Sequence, residues 1–471
     1  MRDTGSRSAL GVIHGAAQFK VHSSHLAVGL LFSVAGILAC MAPVQSDTWW
    51  LLRAGQDIWS TGTVPLADAY SHTAADRYWW NHEWLTEALF YGLFRLGGLP
   101  LLAAVSAGSI LATWLLCWRL SRGGFELRFA VIGASLASMA GAWAVRPQAF
   151  SMLLFIVVCA LLTDDRRLKW IPAVVLLWVN LHGAAVMALV AIAGAGVGAM
   201  LFTRRIPWRH LATFAASFIA TGLSPIGFRL YPEILASVER SRINALIEWL
   251  PPDATAWLLP FWLLVIAAPA TALLRRRHLD DRTARLLGMA ILVLPLAVRS
   301  TRNVHLFLLV AIPAVTSAWA GPPRPLRRAG EREGVNRALL VATVAAAAVL
   351  VGWIWRHPPP RLGWNPISVE AVAAVAGCPA PLYNTYGNGG VLIWFTPSQR
   401  VFIDNRQDPY STELLKENKA LEMSGDHEAT FDRYGIRCAA VAPDSVIGRR
   451  LAADPAWTLL HRDRQWIVLT R

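Results

Sequence analysis

The chain has 471 residues, of which 55% are apolar and 16% charged, with a mean hydropathy of +0.42 and a formal net charge of +14. A soluble globular protein carries about a quarter charged residues, so this composition excludes an ordinary soluble enzyme. The excess of positive charge, which in a soluble chain points to nucleic acid, lies in short loops between apolar runs and reads as a membrane-orientation signal; no nucleic-acid partner is expected.

Apolar runs long enough to cross about 30 Å of hydrocarbon recur along the chain, which predicts a polytopic α-helical membrane protein. The expected spans are 26–45, 101–118, 129–145, 149–163, 170–182, 183–202, 207–223, 256–274, 284–298, 303–320 and 338–356, eleven in all. The Ile37–Cys40 stretch faintly resembles a lipoprotein cleavage box, but its polar leader is long, and 26–45 reads as a retained anchor. Segment 83–97 carries three charges and reads as a surface-lying helix rather than a crossing. Lys and Arg are more than twice as numerous in loops 1–25, 119–128, 164–169, 203–209, 275–285 and 321–337 as in the alternate set. The positive-inside rule therefore places the N-terminus in the cytoplasm and loop 46–100 outside. With an odd number of spans, the C-terminal part is outside too.

The expected domains are a cytoplasmic segment 1–25, a transmembrane domain 26–356, and an extracytoplasmic α/β domain 357–471 entered through the stiff Pro358-Pro359-Pro360 linker. In that tail, Arg400 to Asp404 reads as a buried strand, Ser411 to Met423 as a helix, and Ile436 to Val441 as a strand. Trp457 to His461 and Gln465 to Thr470 read as a closing hairpin. Cys40, Cys117 and Cys159 sit in apolar runs, whereas Cys378 and Cys438 lie in the polar tail, where they can pair if it is outside the cytoplasm.

The polar residues that look out of place gather on one side of this layout. They are Asp47; Asn81, His82 and Glu83; Arg146 and Gln148; Asn180 and His182; Ser224; Glu248; and Arg299, Arg302 and Asn303. Ionisable groups near hydrocarbon face cavities or one another, so six segments supplying them at one face predict a shared polar cavity there. Each has a plainer role. Trp49, Trp50, Trp79, Trp80 and Trp84 read as an interfacial aromatic belt, Asp47 as a helix N-cap, His182 as a hydrogen-bonded structural histidine, and Asp404 with Arg406 as a structural ion pair. His82-Glu83 is no zinc-protease motif, because Thr86 stands where the second histidine is needed. Asp47 and Glu83 are candidate ligands for a divalent cation, Mg or Mn, with His82 beside them. A carboxylate, arginines and a cavity at membrane depth suit transfer from a lipid-linked phosphosugar. The acid takes a proton from the acceptor hydroxyl, and the arginines neutralise the departing phosphate.

The motifs Asp47-Thr48-Trp49-Trp50, Trp80-Asn81-His82-Glu83-Trp84-Leu85, Val145-Arg146-Pro147-Gln148, Trp178 to Gly183, Ser224-Pro225-Ile226-Gly227 and Glu248-Trp249 occur in order. In the tail follow Gly387-Asn388-Gly389-Gly390, Phe402 to Arg406 and Tyr434-Gly435-Ile436. Together they resemble the GT-C superfamily of integral-membrane glycosyltransferases, in particular a bacterial group related to dolichyl-phosphate-mannose mannosyltransferases. The resemblance implies inverting transfer of a sugar from a polyprenyl-phosphate donor to a glycan, lipid or protein acceptor of the cell envelope, in a bacterial inner membrane, with Asp47 as general base. Glu83 and His82 would support Asp47, while Arg146, His182, Arg299, Arg302, Trp50 and Glu248 would bind substrate. Many relatives carry a second acid beside the first; here Thr48 follows Asp47. A lipid-linked sugar transporter would need polar groups through the depth of its spans, and the spans here are mostly Ala, Leu, Val and Gly. A non-catalytic assembly protein of the same fold is the third reading.

Overall fold

A computed structural model describes residues 21–204, 206–244, 246–321 and 331–471. The expected cytoplasmic segment 1–25 lies outside the described residues up to residue 20, as does most of the basic loop 321–337. Every expected span is helical, and seven helices among the described residues are long and apolar enough to cross a membrane. Gln148–Leu162 and Leu168–Leu181 are shorter apolar helices beside them. The 170–202 run is broken at His182, whose extended backbone ends Ile171–Leu181 before Val186–Thr203 begins.

The packing of the bundle follows from small residues. Gly194 and Gly198 on Val186–Thr203 face Ala284 and Gly288 on Asp281–Arg299, and a Cβ added at Gly288 would collide with the Gly194 carbonyl. Glycines four apart allow two helix backbones to touch, the usual substitute for hydrophobic drive within a membrane. Trp114, Phe155, Trp178, Phe261 and Phe307 fill the space around this seam. Ser23–Cys40 packs on Glu333–Arg356 at the rim of the bundle, joined by the Trp355 indole N–H to the Cys40 carbonyl at 3.0 Å.

Segment 84–96 is a helix of its own. Trp84–Leu120 breaks at Gly97 and Gly98, where the backbone leaves helical geometry and Gly98 takes a φ of 63°. The first part packs along Ser46–Thr61 so closely that Gly55 can bear no side chain against the Glu87 carbonyl.

The tail carries a four-stranded sheet in the order β1 (Leu382–Asn384), β2 (Cys438–Val441), β4 (Ile467–Thr470), β3 (Thr458–Arg462). β1 and β2 are parallel, and the other pairings are antiparallel, with β3 and β4 forming the expected hairpin. Helix Thr412–Ser424 also lies where the sequence places it, and Cys378 and Cys438 form a disulfide with Cα atoms 5.8 Å apart. The expected strand 400–404 is not part of this sheet. Val401 instead bridges Ser71 of the long loop, exchanging hydrogen bonds with the Tyr70 carbonyl and the His72 N–H at 3.0 Å each.

Loop and tail share one core. Trp49, 2% exposed, packs on Trp394 and Phe395 of the tail, and Trp50 packs edge-on against Trp79 at 6.0 Å. This overturns the aromatic-belt expectation for Trp49, Trp50 and Trp79: these rings are buried against protein. Gly390 makes the approach possible, since a Cβ there would strike the Ser46 carbonyl, while Gly389 lets the tail fold closely on its own Ile403 carbonyl.

Candidate functional site

One cavity of about 1030 Å³ lies where the ends of several helices, the long loop and the tail meet. Asp47, Trp50, His82, Glu83, Arg146, His182, Glu248 and Arg302 all line it, together with Gln148. Arg299 does not. It ends Asp281–Arg299 exposed and outside the cavity, because the turn Thr301–Asn303 swings Arg302 inward instead.

Asp47 is not the helix cap. Gln45 takes that position, and the Thr48 hydroxyl accepts from its N–H at 3.2 Å while donating to the Val145 carbonyl at 2.7 Å. Thr48 therefore fastens the loop to the next turn of chain. Asp47, one residue earlier in the first helical turn, is free to meet other partners. Its Oδ2 lies 2.6 Å from Arg146 Nε, an ionic contact, and its Oδ1 accepts from the Asn405 amide of the tail. Burial raises the Asp47 carboxyl above the usual range, Arg146 opposes this, and the Glu248 and Glu83 charges add to it.

The two arginines converge on one anion. Arg302 Nη1 lies 2.9 Å from Glu248 Oε1, and Arg146 Nη1 lies 3.4 Å from Glu248 Oε2. With its amide oxygen oriented to accept, Gln148 bridges the same pair, 3.3 Å from Arg146 Nη2 and 3.2 Å from Arg302 Nη2. Burial alone would raise the Glu248 carboxyl, but Arg302 and Arg146 hold it below its ordinary value.

Glu83 sits between two imidazoles, with His182 Nε2 at 3.2 Å and His82 Nε2 at 3.5 Å. His82 Nδ1 is 2.9 Å from the Trp80 carbonyl and 3.7 Å from Asp408 of the tail. Burial works against charge on both Glu83 and His82. Their mutual bond outweighs it, aided by Asp408, so that His82 is pushed up to about 9 and Glu83 down to about 2. His182 also contacts the Ser151 hydroxyl at 2.7 Å and Arg302 at 3.1 Å. Of the two acids Asp47 and Glu83, Glu83 is held ionised by a histidinium and is a poor proton acceptor. Asp47 has the raised affinity that a base requires.

Among the described residues no group of three or more His, Cys, Asp or Glu side chains is arranged to hold a metal ion. Asp47 and Glu83 are each committed to cationic partners, so this donor set suits arginine-based neutralisation better than a shared divalent cation.

Three contributions were not read from the sequence. The tail supplies Tyr386, Asn405, Gln407 and Asp408 to the cavity wall. Arg406 is buried between Asp404 at 2.6 Å and Asp68 of the long loop at 2.5 Å, under the Tyr70 and Trp79 rings. The Asp404–Arg406 pair was visible, but its third member lies more than 300 residues away and carries no local signal. Glu87, fully buried, accepts from Asn81 at 2.8 Å.

The whole arrangement is similar to solved structures. ArnT from Cupriavidus metallidurans, bound to undecaprenyl phosphate, matches with a TM-score of 0.51 at 15% identity, over 94% of this chain and 97% of that one. The archaeal oligosaccharyltransferase AglB from Archaeoglobus fulgidus, in complex with an inhibitory peptide and a dolichol-phosphate, matches with a TM-score of 0.50 at 11% identity, over 89% of this chain and 70% of that one. No family model and no curated protein sequence matches the chain. At such low identity the likeness shows architecture alone: this multi-pass membrane protein shares the fold of these solved structures.

Proposed function

We propose that the protein transfers a sugar from a polyprenyl-phosphate carrier to a cell-envelope acceptor at the outer face of a bacterial inner membrane, with inversion at the anomeric carbon. The observation that carries this reading is the pairing, within one cavity, of a carboxylate of raised proton affinity with two arginines directed at a common anion. The acceptor hydroxyl gives its proton to Asp47 as its oxygen bonds to the anomeric carbon. The bond from that carbon to the phosphate oxygen breaks with its electrons on oxygen, and the lipid phosphate leaves toward Arg146 and Arg302. Glu248 occupies the position between the arginines that the phosphate would take. Any divalent cation would add charge neutralisation there, and no residue role depends on it.

With the eleven crossings and cytoplasmic N-terminus expected from the sequence, the cavity and the tail would face outside, and the Cys378–Cys438 disulfide supports that side, since disulfides persist in oxidising compartments. In cells lacking the protein, one polyprenyl-phosphate sugar should accumulate, and its identity names the donor. Restoring the wild-type gene should clear it and restoring Asp47→Asn should not. Clearance by Asp47→Asn rules out the base assignment.

A further inference from the structure

The site is built from two parts of the chain that are far apart in sequence, and the contact between them falls on the proposed base. Asn405 belongs to the tail, yet its amide donates to Asp47 Oδ1. Arg146 engages the other oxygen. An ionised carboxylate has about four acceptor positions, so two contacts on opposite oxygens fix its plane and leave lone pairs for a substrate hydroxyl.

The segment that presents Asn405 is held on both sides. Asp404 accepts from the Arg406 N–H and Nε at 2.9 Å each and from the Tyr410 hydroxyl at 2.6 Å. The Asp408 N–H returns to the Arg406 carbonyl at 2.8 Å, and Gln407 takes a left-handed φ of 67°, a conformation a non-glycine residue keeps only where its surroundings impose it. Asp68 ties Arg406 to the loop that carries Asp47, and the Gly390 N–H donates to Ser46 Oγ at 3.1 Å, one residue before Asp47. Asn405 is thus delivered by a rigid turn clamped on the same loop it contacts.

We infer that Asn405 is a positioning residue for Asp47, so that the catalytic carboxylate is oriented by the tail and the site is incomplete without it. This role rests on the assignment of Asp47 as base. An N–H donor favours the ionised carboxylate, so Asn405 tempers the basicity that burial confers. The other charged or titratable groups facing Asp47 are Arg146, Arg302, Glu83, Glu248 and Tyr386, and none of them is altered by changing Asn405.

The test needs no substrate. The infrared carbonyl band of protonated Asp47, isolated by subtracting the spectrum of Asp47→Asn, reports its titration in purified protein. Asn405→Leu keeps the side-chain shape and removes the N–H, so the midpoint should rise by about one unit. Asn405→Asp adds a like charge and should raise it further. The acid limb of transfer activity should move in the same order, since activity is lost as pH falls through the base's pKa. If Asn405→Leu does not accumulate in the membrane, Asn405→Ala is read in its place. An unchanged midpoint in the folded variants overturns the role of Asn405, even if activity falls. A shifted midpoint together with a wild-type protein that shows no transferase activity would uphold the contact and sink the proposed function instead.

Discussion

At the residue scale, one cavity gives two carboxylates different proton affinities. Glu83 is tied to His82, whereas Asp47 is buried beside an arginine and two other acids. The consequence for stability has a definite sign. His82 is raised to about 9 in the folded state, so its contribution is fully present below the ordinary histidine range and is lost as pH rises through about 9. Thermal denaturation in detergent should show a decline between roughly pH 6.5 and 9, and His82→Gln should flatten it. Glu248 gives a second prediction. Its carboxylate competes for the arginines, so Glu248→Gln should tighten binding of undecaprenyl phosphate, by roughly tenfold if about 1.4 kcal/mol of competition is removed. Weaker binding would show that Glu248 instead holds the arginines in place.

Most of these residues were legible in the sequence because acids and arginines next to apolar runs are conspicuous. Arg299 was misread because it stands three positions from Arg302, and only the turn between them decides which faces inward. Asn405 lay in a motif that had been noticed, but an uncharged amide gives no sign of its partner until the tail is placed.

At the scale of elements, helix and hairpin positions followed from periodicity and charge, including the separate helix before Gly97. What periodicity could not give was the partner of each apolar face. Trp49 and Trp50 look the same in sequence whether they meet lipid headgroups or another layer of protein, and here Trp394 and Phe395 cover Trp49. Segment 400–404 has a strand's composition, yet pairs with the loop. Gly390 is the joint between the two layers: Gly390→Ala forces the tail off Ser46 and should destabilise by about 1–3 kcal/mol. Limited proteolysis should then release the tail sooner. Resistance equal to wild type would mean that the joint relaxes at little cost.

At the scale of the whole molecule, the sequence reads as a transmembrane domain 26–356, which includes the long loop, followed by a tail domain 357–471. The structure joins loop and tail through a common core and through the buried group Asp68–Arg406–Asp404. Removing the Arg406 cation from between those two carboxylates leaves buried negative charges facing each other. Arg406→Met should therefore cost about 3–5 kcal/mol, seen as a lower denaturation midpoint in detergent. Since the same turn bears Asn405, the lesion should also reach Asp47, and activity should fall by more than the loss of folded protein.

In the proposed reaction Asp47 accepts the acceptor's proton while Arg146 and Arg302 receive a lipid phosphate. The most direct test is release of polyprenyl phosphate by purified protein supplied with the lipid-linked sugar that accumulates in its absence, together with envelope acceptor. The wild type should release it and Asp47→Asn should be slower by at least about a thousandfold. Release by Asp47→Asn at a rate near the wild type's would contradict the account.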